Sequence, residues 1–454
     1  MKEDGWFESK RYLHFDIPVN KETAFTKVSN TQNIATHQFL PFLSFIVKSP
    51  KYQYDEIKKK RVIKTKDREI CYCSHMDGHI YSYYSKILLE KYESLLKKEN
   101  LENNILAFRK IGNGKCNIDF AYEAFNEIKS YKKSAVIALD FSKFFDTLDH
   151  DILKKQWCKV LDESTLPLDH FKVFKSLTKF SKVDKNQIDN LFCRKKAASF
   201  SKICTIKEFR EIIRPRKLIK TNKIEGIPQG SPLSGLLSNI YMIDFDKKMK
   251  DYIERLNGKY YRYCDDMLII TPHIELRDKI EKFAKEAIKN LKVTINEKKT
   301  ELRTFIRDSK NFKIKKKHLK NRTNAFQNKS IMIRFNKLKS IDNKPLQYLG
   351  FIFDGENIYV RSSSISRFYS KMRRGVSRAK FHMKKKNEER KRKSFEDKNL
   401  FKQNLYERYS HLGKSNFVTY TRRCREIMEE STTIRNQMKK FDKTLKKRLN
   451  KIKP

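Results

Sequence analysis

Tyr260-Tyr261-Arg262-Tyr263-Cys264-Asp265-Asp266-Met267-Leu268-Ile269-Ile270-Thr271 is the stretch that decides the fold. Two adjacent aspartates sit between apolar, strand-like residues. Side chains alternate faces along a strand, so neighbouring carboxylates persist in such a segment only where the strand turns. The stretch therefore predicts a hairpin with Asp265 and Asp266 at its tip. Two like charges so close repel each other, and a cation is the simplest offset.

A second acid stands where it could complete a site. Ser134-Ala135-Val136-Ile137-Ala138-Leu139-Asp140 reads as a short apolar strand ending in a carboxylate. If that strand neighbours the hairpin, Asp140, Asp265 and Asp266 converge on one sheet edge. Mg²⁺ takes oxygen ligands in near-octahedral geometry, commonly a few carboxylates plus substrate phosphates. Two such ions clamp the attacking and leaving oxygens of an in-line displacement.

The composition agrees with an anionic partner. The 454 residues hold 102 Lys and Arg against 54 Asp and Glu, a formal charge of +48. Such an excess repels itself unless an acidic partner is present, and nucleic acid is the leading one because phosphate contacts release counterions. An anionic membrane surface fits less well, since the charge is spread along the chain. Hydrophobic residues at 39% suffice for a packed core. No run is long enough to span a membrane and the start has no apolar leader, so the expectation is a cytoplasmic protein with no membrane partner. Eight scattered cysteines fit a reducing compartment. Cys71, Cys73 and His75 lie close together, but no fourth zinc ligand is evident.

Along the chain, Lys58 to Cys73 reads as a basic hairpin, and Asp77–Leu96 and Phe120–Ile128 as helices. Asp149–Lys159 reads as a helix, and residues 160–222 are less legible. Gly226-Ile227-Pro228-Gln229-Gly230-Ser231-Pro232 is a turn that opens a helix running to about Met249, with Ser231 near its N-cap. Arg277–Lys292 is an amphipathic helix, and Val293-Thr294-Ile295 a strand. Lys310–Lys320 reads as a basic loop. Tyr348 to Gly355 reads as a strand and turn. Beyond Ser362 the chain is basic and helical: Lys371 to Lys393 holds twelve Lys or Arg and two acids. A charge run of that kind is usually a solvated face, but aromatic residues interleave with it, as suits RNA or DNA binding.

The strand-end Asp140, the Gly-x-Pro-Gln-Gly-Ser-Pro stretch and the Tyr-x-Asp-Asp turn occur in that order, and together they resemble the reverse transcriptases over roughly residues 40–355. The resemblance implies an α+β right-hand polymerase of fingers, palm with an antiparallel sheet, and thumb. Residues 1–130 would be an N-terminal extension and fingers, and 131–355 the palm, with a fingers-like insertion at about 160–222. Residues 356–454 would be a basic helical thumb and RNA-binding region. Asp140 and Asp265 match the principal metal ligands, Asp266 the third acid, and the Phe141 carbonyl a further ligand. Two Mg²⁺ ions, or Mn²⁺ in their place, are the implied cofactors. Phe145 matches the aromatic beneath the sugar that excludes a 2′-hydroxyl, against the plain reading of a core aromatic, and Phe144 is the neighbour that would face the other way. Gln229 and Gly230 match the nucleotide and template pocket. Lys60 and Arg61 match the triphosphate-holding residues, against the plain reading of a solvated basic run. Lys299, or Lys298 if the alignment slips by one, matches the lysine that protonates pyrophosphate. Tyr348, Leu349 and Gly350 match the hairpin that grips the primer.

Further segments resemble the bacterial defense-associated, antiphage reverse transcriptases. These are Tyr12-Leu13-His14-Phe15-Asp16, His37-Gln38-Phe39-Leu40-Pro41-Phe42, Ser74-His75-Met76-Asp77, Phe141-Ser142-Lys143-Phe144-Phe145-Asp146-Thr147-Leu148-Asp149-His150, Cys264 in the turn, and Gly413-Lys414-Ser415-Asn416-Phe417 with Tyr420. That resemblance implies a structured noncoding RNA partner copied into a DNA product from dNTPs; self-association is left open. Template-independent or protein-primed synthesis by the same site is the alternative, as is a retron or group II intron-like enzyme. A non-catalytic RNA scaffold and an RNA-dependent RNA polymerase are also weighed. The intact acids speak against the first, and the bulk of Phe145 against the second.

Overall fold

The computed structural model describes residues 5–452 apart from 56–58, 113, 193–201, 223, 309–336, 341, 343, 394, 397 and 430; the side chains at 51–55, 61, 64, 308 and 337–339 are also outside the description. The basic stretch Lys310–Lys320 lies outside the described residues.

β1 (Phe42–Asp55) and β2 (Lys60–Tyr72) form a long antiparallel hairpin, from Leu43 opposite Tyr72 to Asp55 opposite Lys60. The sequence expectation of a hairpin folded within 58–73 is corrected here: those residues are nearly all one strand, and the partner is the segment before them. Alternation alone does not distinguish a single long strand from a folded pair. Pro50 sits within β1 because the other edge of that strand is paired only at residues 42–44, leaving the proline where no ladder donor is needed.

Next in the chain, β3 (Lys133–Asp140) is buried from Ser134 onward. β4 (Ser181–Asp184) pairs parallel to β1 and antiparallel to β5 (Lys220–Thr221), giving a four-stranded sheet in the order β2-β1-β4-β5. The described residues of the less legible segment 160–222 include β4, β5 and the helical stretches Leu168–Thr178, Lys185–Leu191, Ile206–Glu208 and Phe209–Ile213.

β6 (Lys259–Tyr263), β7 (Asp266–Thr271), β8 (Glu301–Asp308) and β9 (Lys337–Ser340) join β3 in a five-stranded sheet, order β6-β7-β3-β8-β9, with every pair antiparallel. Alternation divides its central strands between two cores. Ile137, Leu139, Met267 and Ile269 pack with Leu236, Ile240, Phe245 and Met249, whereas Val136, Ala138, Leu268 and Ile270 pack with Phe120, Phe125 and Phe353. Both faces are covered, which is why β3 and β7 read as continuous apolar runs.

β10 (Leu346–Tyr348), β11 (Phe351–Phe353) and β12 (Ile358–Val360) make a small antiparallel sheet, followed by the 30-residue helix Ser362–Lys391. The helix expected from Ser231 to Met249 begins later and is broken. Ser231 and Pro232 lie in the preceding turn, and two helices, Ser234–Tyr241 and Ile243–Glu254, meet at Met242. The expected strand 293–295 is a single bridge between Ile295 and Phe141.

Candidate active site

β3 and β7 bring the two distant acids together. Asp140 stands directly opposite Asp266 as the last pair of the β3–β7 ladder, and Tyr263 opposite Asp266 closes the β6–β7 ladder. Directly opposed residues share a face of the sheet. Cys264 and Asp265 are therefore the two loop residues of the turn, and Cys264 takes φ +57°, a left-handed conformation uncommon outside glycine. Burial pushes the Asp266 carboxyl up to about 6; Asp265 and Asp140 add to the rise, while Lys299 and Arg361 oppose it.

Lys299 closes the other side. The short helical turn Glu297–Lys299 carries its ammonium to 2.5 Å from Asp140 Oδ2. The Phe141–Ile295 bridge is made by Ser142 N–H donating to the Thr294 carbonyl (2.8 Å) and Asn296 N–H donating to the Asp140 carbonyl (2.7 Å). Both bonds use the flanking residues, so the carbonyl of Phe141 points away from Ile295. Among the described residues no three His, Cys, Asp or Glu side chains are already gathered as a metal cluster. The donors nevertheless suit a hard divalent cation: they are carboxylate oxygens, and burial first, then the neighbouring Asp265 and Asp140, disfavour the Asp266 charge that such a cation would offset.

Phe144 is 3% exposed in the core, whereas Phe145 is only partly buried. The Phe145 carbonyl accepts from Ile227 N–H (2.8 Å) and the Leu148 carbonyl from Gly226 N–H (2.7 Å), which lays the Gly-x-Pro-Gln-Gly stretch alongside it. The Gln229 carbonyl in turn accepts from Cys71 N–H at 2.9 Å. Gly230 has φ +126°, and a Cβ there would lie 2.4 Å from the Cys71 carbonyl oxygen. Only glycine lets β2 come this close.

Lys60 is not brought to this place. It is an exposed residue at the far end of β2, opposite Asp55. From Cys71 it is roughly 36 Å away along the strand, at about 3.3 Å per residue. The Arg61 side chain lies outside the described residues. Nearer the site, on the Cys71 side of the sheet, Lys182 pairs with Glu69 at 2.5 Å, and both act on the Asp146 carboxyl.

Tyr348 and Phe351 are opposite one another, so Leu349 and Gly350 form a two-residue turn with φ +45° and +95°. Positive φ at both positions is the hairpin geometry that matches strand twist, though leucine adopts it reluctantly. Two contacts pin it. Asn117 Nδ2 donates to the Leu349 carbonyl (3.0 Å) and to the Tyr420 hydroxyl (3.1 Å), and Arg361 N–H donates to the Gly350 carbonyl (3.0 Å).

The sequence reading missed the residue that anchors the aspartate turn. Arg262 is wholly buried on β6 and donates to both oxygens of buried Asp246, at 2.7 and 2.6 Å. Its third nitrogen reaches the Asn239 side chain and the Cys264 carbonyl, each at 3.1 Å. A guanidinium cannot give up its proton, and its paired donors need a carboxylate, so the pair is ionised. The available signal was an arginine at an inward-facing position of an apolar strand.

The remaining motif segments fasten the chain. Asp16 accepts from the His75 and Met76 N–H groups at 2.9 Å each, at the start of the helix His75–Lys98. Asp77 accepts from His37 Nε2 (2.8 Å) and Leu40 N–H (2.9 Å). Tyr12 stacks on His75 with ring centroids 4.7 Å apart. Asn416 caps the helix Phe417–Ile427. Burial raises the Cys71 and Cys73 thiols to about 12.

Residues 172–353 match the family described as reverse transcriptase (RNA-dependent DNA polymerase). The matched span includes Gln229, Asp265, Asp266, Lys299 and Tyr348, and Asp140 lies before it. Telomerase reverse transcriptase of Mus musculus is 41% identical over 51 residues, 11% of this chain and 4% of that protein. Among solved structures, apo telomerase from Candida tropicalis has a TM-score of 0.42 at 12% identity, covering 91% of this chain and 60% of that one. Candida albicans telomerase in complex with a TWJ fragment of telomeric RNA has a TM-score of 0.39 at 12% identity, covering 75% and 49%. The chain thus spans about half of these solved chains and a small part of the curated relative. Among the described residues no helix is long and apolar enough to cross a membrane.

Proposed function

We propose that the chain is an RNA-directed DNA polymerase whose reaction centre is the β3–β7 sheet end. The observation that carries this reading is the pairing of Asp140 with Asp266 beside Asp265, in a chain whose residues 172–353 match the reverse transcriptase family. In the proposed reaction a strand-end 3′-hydroxyl gives up its proton to solvent as its oxygen attacks the α-phosphorus of a dNTP. The bond from that phosphorus to the bridging oxygen breaks, and pyrophosphate leaves. Asp140, Asp265, Asp266 and the Phe141 carbonyl would hold Mg²⁺, which when bound lowers the pKa of the hydroxyl and neutralises the leaving group. Lys299 would give a proton to pyrophosphate. Phe145 would lie under the deoxyribose, with Gln229 and Gly230 shaping the base pocket and Tyr348, Leu349 and Gly350 holding the primer end.

In this reading the five-stranded sheet is the palm, the β2-β1-β4-β5 sheet the fingers and the basic C-terminal helices the thumb. The domains are then 1–130, 131–355 and 356–454. The charge of +48 and the C-terminal cations support a structured noncoding RNA as template and scaffold. The motif segments at residues 12–16, 37–40, 74–77 and 413–417 support the antiphage defense group, acting in the cytoplasm. Protein-primed or template-independent synthesis by the same centre remains the alternative.

The test is dNTP incorporation by the purified chain on an RNA template annealed to a DNA primer with Mg²⁺, beside Asp265→Ala/Asp266→Ala. Synthesis by the wild type and none by the double variant is expected. Equal synthesis by the double variant would overturn the assignment. Sequencing the RNA and DNA that copurify would identify template and product. A DNA product released only by protease would favour protein priming.

A further inference from the structure

Among the described residues, most non-glycine residues at positive φ are lysine, asparagine, aspartate or glutamate. Three are not: Cys264 at +57°, Leu349 at +45° and Phe108 at +58°. Cys264 and Leu349 lie in the two turns of the proposed reaction centre. Phe108 has no role in that reading, yet it bears the same strain, which a β-carbon makes costly. The fold gives its side chain little in return, since Phe108 is 50% exposed.

The backbone around Phe108 is fastened to the aspartate turn. Ile105 bridges Arg262 in parallel, with Leu106 N–H donating to the Arg262 carbonyl (2.9 Å) and Arg262 N–H to the Asn104 carbonyl (2.8 Å). In a parallel pair both chains advance together, so the chain leaves Ile105 toward the sheet end that carries Cys264 and Asp265. Asn239 Nδ2 donates to the Ala107 carbonyl at 2.8 Å. Asn239 Oδ1 accepts from the Arg262 nitrogen that also reaches the Cys264 carbonyl, each at 3.1 Å. On the other side Arg109 holds Glu93 through two hydrogen bonds, 2.7 and 2.6 Å long. Between these anchors the Phe108 ring rests on Gly235, at the start of the helix Ser234–Tyr241: a Cβ there would lie 2.7 Å from Phe108 Cδ1.

An apolar ring packs against the sugars and base faces of nucleic acid without regard to sequence. Exposed Lys110, two residues on, supplies a cation for the adjoining phosphate. The geometry points to Phe108 as a binding residue for the template–primer, its ring bearing on the nucleotides at the aspartate turn and Gly235 keeping the space in which the ring lies. The assignment rests on the polymerase reading for its ligand.

The test uses the full chain freed of nucleic acid, with a labelled DNA primer annealed to an RNA template as probe. Phe108→Gly and Phe108→Ala should each weaken binding by roughly 5- to 100-fold, the range of an aromatic contact to a nucleotide. Glycine is unstrained at this φ, so Phe108→Gly should melt higher than Phe108→Ala while binding no better. Phe108→Tyr keeps the ring and should restore binding. The salt slope should hold in all three, because no charge is lost. Gly235→Ala sets a methyl group against the ring; it should weaken binding in the wild-type background and add nothing to Phe108→Gly. In steady-state incorporation the loss should fall on the KM for template–primer. Wild-type affinity in the Gly and Ala variants, binding that follows melting temperature, an additive Gly235→Ala effect, or a loss confined to kcat would each overturn the assignment. Failure of the polymerase reading would show separately, as absence of DNA synthesis by the wild-type chain on the same template and primer.

Discussion

Arg262 and Asp246 meet through two hydrogen bonds, 2.7 and 2.6 Å long, with both side chains fully shielded from solvent. Tyr260 donates its hydroxyl to the same carboxylate at 2.7 Å, and Arg262 passes a further hydrogen bond to the Cys264 carbonyl. The turn that carries Asp265 is thus built on a buried ion pair rather than on its own backbone preference. Asp246→Ala leaves the Arg262 charge uncompensated and should cost about 3–5 kcal/mol in urea unfolding. The double variant Asp246→Leu/Arg262→Met should recover most of that stability, because a buried pair replaced by apolar groups is often close to neutral. It should not recover dNTP incorporation, since the hydrogen bond to Cys264 is gone. Full activity in the double variant would show that Arg262 has no part in setting the turn.

Phe144 and Phe145 are adjacent yet differ in burial, and their variants should separate stability from selection. Phe144→Ala opens a cavity in the main core and should cost about 3–5 kcal/mol. Phe145→Ala should unfold at nearly the wild-type denaturant concentration. If its ring underlies the sugar, ribonucleotide incorporation relative to deoxynucleotide should rise by roughly 10- to 100-fold, the range of a steric pocket contact. Unchanged sugar selection would remove Phe145 from the pocket.

The carboxylates were legible because strand alternation is a local rule: Asp265 and Asp266 had to mark a turn, and Asp140 had to end a strand. What alternation could not supply was pairing. The partner of β2 is β1, through Pro50, and this long pairing carries Lys60 away from the carboxylates. Arg262 was readable as an anomaly but not as a pair, since Asp246 lies on a helix 16 positions upstream, in an element of a different period. Asn117 and Leu349 are 232 residues apart, and no sequence rule joins them. The segments 12–16 and 74–77 were visible as a pattern, but only the fold shows Asp16 receiving the N–H groups of His75 and Met76.

Gly230 is where β2 and the turn at 226–232 touch. Gly230→Ala places a methyl group 2.4 Å from the Cys71 carbonyl oxygen at a φ of +126°. The strand and turn must separate, at a cost of about 1–3 kcal/mol in stability. Displacement of Gln229 by about an ångström should lower kcat/KM for dNTP on the order of 100-fold, more than the stability loss alone would suggest. Steady-state incorporation well below the melting temperature measures the two effects apart. A fall in activity only in proportion to the folded fraction would show that the turn does not shape the pocket.

Asp266 gives the pH dependence a definite sign. Its carboxyl is pushed up to about 6 by burial first and by Asp265 and Asp140 next. A raised folded-state pKa means that the fold favours the protonated form. The stability it contributes is full below the unfolded carboxylate value and is lost as pH rises through about 6. Metal-free protein at pH 7.5 should therefore carry a penalty that Asp266→Asn removes. Two pKa units correspond to about 3 kcal/mol, and partial exposure screens part of that. Asp266→Asn should melt higher than the wild type at pH 7.5, with the difference vanishing as pH falls toward 4. Added Mg²⁺ should raise the wild-type melting temperature at pH 7.5 more than that of the variant, by mass action on the folded state. Identical melting curves for the two proteins from pH 4 to 8, with and without Mg²⁺, would place Asp266 outside the cation site and leave Asp140 and Asp265 to account for it.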